Sequence, residues 1–134
     1  MVQARREFIL YLAISVLLLA FDRTYAIFSH GVSSLSMTLM FLPVLLGGIL
    51  FVTLRWIMKE RFWNHHLYRL FSYLYHSSIV VFVNGMLVRG ILEIGGTHSK
   101  LLVVFQVLFG VLSVLTVLIF LLIIKGRKFK RKHK

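Results

Sequence analysis

Four apolar runs alternate with short polar stretches along the chain, and their lengths set the first expectation. The run beginning at Phe8 is free of charge only to Phe21, which is short for a bilayer-spanning helix. Carried on through Tyr25 and Ala26 to Phe28 it reaches the necessary length, and Asp22 and Arg23 are then drawn below the far interface. A second run, LSMTLMFLPVLLGGILFVTLRW over 35–56, contains Pro43, expected to kink it, and Gly47-Gly48, which let a neighbouring helix come close. A third, over 67–92, holds Arg69 and Arg89 near its two ends. The twenty residues between them measure about 30 Å as a helix, the thickness of a hydrocarbon core, so both guanidinium groups can reach an interface. The fourth, over 101–124, carries only Gln106, Ser113 and Thr116 as polar side chains.

The connections are short: SHGVSS over 29–34, IMKERFWNHH over 57–66 and the glycine-bearing EIGGTHSK over 93–100. The pattern predicts an all-α polytopic membrane protein with spans at about 8–28, 35–56, 67–92 and 101–124. These spans form one domain, residues 1–124, expected to be an up-down-up-down four-helix bundle, and a basic tail follows over 125–134. Within each span the polar and small residues gather on one face. They are Tyr11, Ser15 and Asp22 in the first, and Ser36, Met40, Pro43 and Gly47 in the second. The third has Ser72, Tyr73, His76, Ser77 and Asn84, and the fourth Gln106, Gly110 and Ser113. Lipid tails offer no hydrogen-bond partners, so these stripes are expected to face one another inside the bundle.

Composition agrees with this picture: 59% of the 134 residues are hydrophobic, with a mean hydropathy of +0.88, above the range of soluble domains. The absence of cysteine excludes a disulfide framework and any thiolate metal or redox site. A net charge of +12 in a soluble protein would suggest nucleic acid; here the cations lie almost entirely between and after the apolar runs, so they report topology, and nucleic acid is not an expected partner. One side of the membrane would hold Arg5, Arg6, Arg55, Lys59, Arg61, Arg69 and the tail cations Lys125, Arg127, Lys128, Lys130, Arg131, Lys132 and Lys134. The other holds only Arg23, Arg89 and Lys100. The positive-inside rule therefore predicts both termini on the cytoplasmic side, and the compact basic chain suits a bacterial plasma membrane. Arg5 and Arg6 before an apolar run mimic a signal peptide, but DRTYA over 22–26 is a poor cleavage site, so an uncleaved first span is expected.

Candidate chemistry is sparse. Asp22 is an acid below an interface, where ionisable groups are functional hypotheses by default. Its partners at that depth are Arg23 and Arg89; it serves either an Asp22–Arg89 pair that fastens the first span to the third, or proton or cation coupling, or else the helix ends earlier and leaves Asp22 in water. An Arg23–Glu93 pair would do the same fastening. His76 lies near mid-span and is expected to bond Tyr73, Ser72 or a nearby backbone group; as a relay it would need a second acid or histidine in line. Asn84 and Gln106 complete the intramembrane polar set with Arg23 and Arg89. His30 and His98 fall in loops on one side, with no spacing specific to a metal. Adjacent His65 and His66 would diverge on a helix, and with Arg61 and Trp63 they suit an interfacial belt. The tail cations are expected to meet anionic headgroups at the cytoplasmic face. No catalytic motif, metal site or cofactor site is present in the sequence pattern, and no enzymatic activity is expected. The chain reads as a non-catalytic accessory subunit or homo-oligomer. The alternative is a small oligomeric transporter or channel whose path runs along the polar stripes.

Overall fold

The computed structural model describes residues 2–32, 34–58, 62 and 64–132, with the backbone alone for Ala4 and for 127–132. Helix α1 covers Val2–Phe28. It ends where expected, because His30 (φ +58°) and Gly31 (φ +83°) turn left-handed. The Gly31 N–H then reaches five residues back to the Ala26 carbonyl at 2.9 Å, a Schellman closure.

The second apolar run is a broken helix, not a kinked one. It divides into α2 (Leu35–Thr38) and α3 (Phe41–Ile57). Pro43 supplies the reason: it has no N–H for the Leu39 carbonyl, and its ring crowds that oxygen. The Leu39 carbonyl instead accepts from Leu42 N–H at 3.0 Å, a tighter turn, and the axis breaks at Leu39-Met40. Pro43 itself sits in the first turn of α3, where proline is tolerated.

Helix α4 spans Tyr68–Ile94 and α5 spans Leu101–Lys132. Between them Gly96 adopts φ +64°, and Thr97 N–H closes onto the Leu92 carbonyl at 3.0 Å. α5 runs unbroken past Ile124 into the basic tail as far as Lys132. Lys134 and Lys59 lie outside the described residues, as do Arg61 and Trp63 of the expected interfacial belt.

Contacts follow the chain: α1 packs on α3, α2 and α3 pack on α4, and α4 packs on α5. Registers can be read from paired residues. Arg55 bonds Glu7 and Thr38 bonds Asp22, so α1 and the α2–α3 run are antiparallel. Phe82 meets Phe109 and Phe71 meets Phe120, so α4 and α5 are antiparallel too. Glycines on α3 and α4 set the closest approaches. A Cβ on Gly48 would lie 2.5 Å from Tyr11 Cγ, and one on Gly47 would lie 2.5 Å from Ile79 Cδ1. α3 is thus wedged between α1 and α4. A Cβ on Gly90 would meet Met37 Cβ at 2.9 Å, which brings α2 against α4.

The core is aromatic and lies at the Glu7 end. Phe51, Phe62, Phe71 and Ile123 are buried together, with Tyr75 and Phe120 against them. Met37, Met40 and Val44 fill the space toward the break. Much of α1 and α5 instead exposes Leu, Ile and Val, among them Leu17, Val107, Val114 and Leu122. Four helical segments, Arg5–Phe28, Leu35–Ile57, Tyr68–Ile94 and Leu101–Gly126, are long and apolar enough to cross a bilayer. Bundled together with apolar surfaces turned outward, they mark a small integral membrane protein.

Candidate functional site

Polar side chains collect at the end of the bundle where the broken helix meets α1 and α4. Asp22 is buried, at 4% exposure. Its Oδ1 accepts from the Thr38 hydroxyl at 3.3 Å, and the same hydroxyl lies 3.2 Å from the Ser34 carbonyl. Ser34 in turn donates its hydroxyl to Glu93 Oε2. Ser36 Oγ donates to Glu93 Oε1 at 3.0 Å, and Arg89 Nε donates to that oxygen at 2.8 Å. A continuous set of hydrogen bonds therefore joins α1, α2 and α4 through alternate residues 34, 36 and 38. Neither expected ion pair between the first and third spans forms among the described residues; the link between α1 and α4 is indirect, through α2. Arg89 pairs with Glu93 on its own helix instead of with Asp22. Arg23 is exposed on α1, and no Arg23–Glu93 pair forms among the described residues.

Beside this network a cavity of about 560 Å³ opens between α4, α5 and their connecting loop. Phe82, Met86, Phe105 and Phe109 form its apolar walls. Its mouth carries Arg89, Glu93, Thr97, His98 and Ser99, and Gln106 lies along its side.

The opposite end has a charged pair that the sequence pattern did not single out. Arg55 on α3 bonds Glu7 on α1, both largely shielded, at 17% and 29% side-chain exposure. Gln3 adds a second acceptor to the same guanidinium. The usable signal was positional: in an antiparallel pair of helices, the acid near the start of one meets the base near the end of the next.

His76 donates from Nδ1 to the Ser72 carbonyl at 2.6 Å, the backbone option expected for it. Its ring stacks on Tyr11 at 5.7 Å and meets Phe51 edge-on at 5.0 Å. It is packed among aromatic rings, and no second histidine or acid lies against it among the described ring and hydrogen-bond contacts. His65 and His66 do not diverge: they occupy a turn, not a helix, and their rings stack at 4.5 Å. No group of three or more His, Asp or Glu side chains able to hold a metal ion occurs among the described residues.

The polar stripes are only partly turned inward. Tyr11, Ser15 and Asp22 are all buried, as expected of the first. On α4, however, Tyr73, Ser77 and Asn84 are exposed while Phe71, Ser78 and Gly90 are buried. On α5, Gln106 is exposed and a Cβ on Gly110 would meet open space, whereas Thr116 and Ile123 are buried. For Asn84 the physical reason is self-satisfaction, and even the buried hydroxyls of these helices bond their own backbone. Asn84 Nδ2 donates to the Val80 carbonyl at 2.8 Å, and Ser78 and Thr116 donate to Leu74 and Leu112 at 2.8 and 2.7 Å. A polar group bonded four residues back on its own helix has no need of a neighbour. Large side chains decide the packing face instead, with Phe105 against Gly85 and Phe109 against Phe82.

Compared with protein-family models, with curated protein sequences and with solved structures, the chain matches none.

Proposed function

We propose that this small membrane protein acts through interaction, as a homo-oligomer or as the accessory subunit of a larger membrane protein, and carries out no catalysis. The supporting observation is the close packing of the α1–α3, α3–α4 and α2–α4 interfaces. Tyr11 is pressed against Gly48, Ile79 against Gly47 and Met37 against Gly90, along the line where a polar path would have to run. The hydroxyls at these levels, Ser15 and Ser78, are bonded to their own helices. A transport path would instead need water or displaceable side chains between the helices. The helices pack in chain order, so the outer faces of α1 and α5 remain for lipid or a partner.

In this reading the four spans run up-down-up-down with both termini in the cytoplasm of a bacterial plasma membrane, following the distribution of Lys and Arg. Lys125, Arg127, Lys128, Lys130, Arg131, Lys132 and Lys134 then lie against anionic headgroups, with about 1 kcal/mol available per cation near the surface. The Asp22–Thr38–Ser34–Glu93 network pins the broken helix at the opposite face.

Native mass spectrometry in lipid nanodiscs, on wild type and Asp22→Asn, tests the proposal. It expects a discrete oligomer or a stoichiometric complex with another membrane protein, unchanged by the substitution. An oligomer that Asp22→Asn disrupts or alters, together with ion flux in proteoliposomes that the substitution abolishes, would establish the oligomeric transporter alternative.

A further inference from the structure

The cavity between α4 and α5 has a chemistry that the interaction reading leaves unused. Its walls, Phe82, Phe105 and Phe109 among them, are apolar along the length that lies within the spans, apart from Gln106. Its mouth is polar and sits at the end of α4, at the level where a bilayer interface falls. The hydrogen-bonding capacity at that mouth is unequal. Both Glu93 oxygens already accept, from Ser34, Ser36 and Arg89. Arg89, by contrast, uses Nε for Glu93, and its terminal nitrogens have no partner among the described residues, with the side chain 59% exposed. His98 and Thr97 are exposed beside it, and Ser99 Oγ accepts from Leu101 N–H, which leaves its own proton to donate. Three donors engage the Glu93 carboxylate while the terminal nitrogens of Arg89 and the Ser99 hydroxyl remain to donate, so the mouth can hold an anion while the walls complement hydrocarbon.

We propose that this cavity binds an anionic phospholipid, with one acyl chain lying between α4 and α5 and its phosphate held by Arg89, assisted by His98 and Ser99. Glu93 acts here as a positioning residue: it holds the Arg89 guanidinium by Nε and leaves the two terminal nitrogens directed for bidentate contact with phosphate oxygens. A volume of about 560 Å³ falls within the range of small-molecule sites and accepts a chain and glycerol backbone, not a whole folded partner. The site is separate from the basic tail, which attracts anionic headgroups at the far end of α5 without selecting for a chain.

This inference rests on the chain being a membrane protein, and its test is arranged so that the two can fail separately. The full-length protein, purified in a zwitterionic detergent with its tail cations replaced by Gln, is titrated with dimyristoyl phosphatidic acid by native mass spectrometry. Parallel titrations use dimyristoyl phosphatidylcholine, inorganic phosphate and myristyl alcohol. Phosphatidic acid should bind at one site per chain, with Arg89→Gln weakening it about tenfold or more, the loss of a charge-assisted contact. Arg89→Lys should recover part of that loss, and Val103→Trp, on an exposed position that lines the cavity, should block lipid while the helix content by circular dichroism stays unchanged. Equal binding of phosphatidylcholine, or an affinity indifferent to both Arg89→Gln and Val103→Trp, overturns the site. Saturation by inorganic phosphate at the same affinity overturns the lipid and leaves a phosphate site. A protein that fails to insert into vesicles at all overturns the membrane reading beneath it.

Discussion

Replacing Gly48 with alanine probes the packing argument where the structure gives it a magnitude. The added methyl would stand 2.5 Å from Tyr11 Cγ, 2.6 Å from Cβ and 2.9 Å from Cδ1, against an ordinary contact of 3.4 Å or more. The atoms it meets are the root of the Tyr11 side chain, not a movable tip, so α1 must shift from α3 by about 1 Å. Overpacking of this kind costs about 1–3 kcal/mol. Alanine returns up to about 1 kcal/mol through helix propensity, and the net expectation is a loss of about 1–2 kcal/mol. Gly110→Ala is the internal control: nothing lies within 4 Å of its Cβ, so it should be neutral or stabilising by up to about 1 kcal/mol. Gly47→Ala should fall between, because the atom in its way is the terminal Cδ1 of Ile79, which a rotamer change can remove for about 1 kcal/mol. Reversible unfolding in bicelles titrated with dodecyl sulfate, followed by circular dichroism, ranks the three variants. A Gly48→Ala protein as stable as Gly110→Ala would refute the close approach of α1 and α3, and with it the packed interior.

Other interactions give smaller, separable effects in the same assay. Tyr75→Phe removes the hydroxyl that donates to the Gly47 carbonyl at 2.6 Å and should cost about 1 kcal/mol, near the upper part of the range for interhelical bonds in membranes. Thr116→Val should change stability by less than about 0.5 kcal/mol, since that hydroxyl bonds only its own helix. A double-mutant cycle over Glu7→Gln and Arg55→Met should return a coupling of about 1 kcal/mol, because the pair is mostly shielded but not fully so. No coupling would mean that Arg55 is held by its other contacts alone. Glu93→Gln should release α2 more than α5, seen as faster hydrogen exchange at Met37–Leu39 with exchange in mid-α5 unchanged, because Ser34 and Ser36 both bond that carboxylate.

The number and position of the apolar spans were legible in the sequence because length and hydropathy alone decide them. The faces were less so. The first stripe read correctly since Tyr11, Ser15 and Asp22 lie on the side where Gly48 and Thr38 admit them. The third and fourth differ: the exposed Asn84 is satisfied by the Val80 carbonyl of its own helix and needs no neighbour, and on the fourth Phe105 and Phe109 set the packing face while Gln106 and Gly110 face outward. Pro43 signalled a disturbance, but whether the helix bends or breaks depends on Leu42 taking up the Leu39 carbonyl, a local choice that hydropathy does not register. The partner of Asp22 was misassigned for a related reason. Glu93 stands four residues after Arg89 on the same helix, and that short-range pair leaves Asp22 to a hydroxyl.

The packed interior is tested most directly by cysteine accessibility, for which the chain is well suited because it has no native cysteine. Single cysteines at Ser15 and Ser78, on the buried faces of α1 and α4, would be challenged in sealed proteoliposomes with a small charged thiol reagent, beside a cysteine at exposed His98 as the reactive control. The account predicts rapid labelling at 98 and none at 15 or 78 until the protein is unfolded. Labelling of 15 and 78 in the folded protein, protected by a transported ion or solute, would contradict it and place a water-filled path through the bundle.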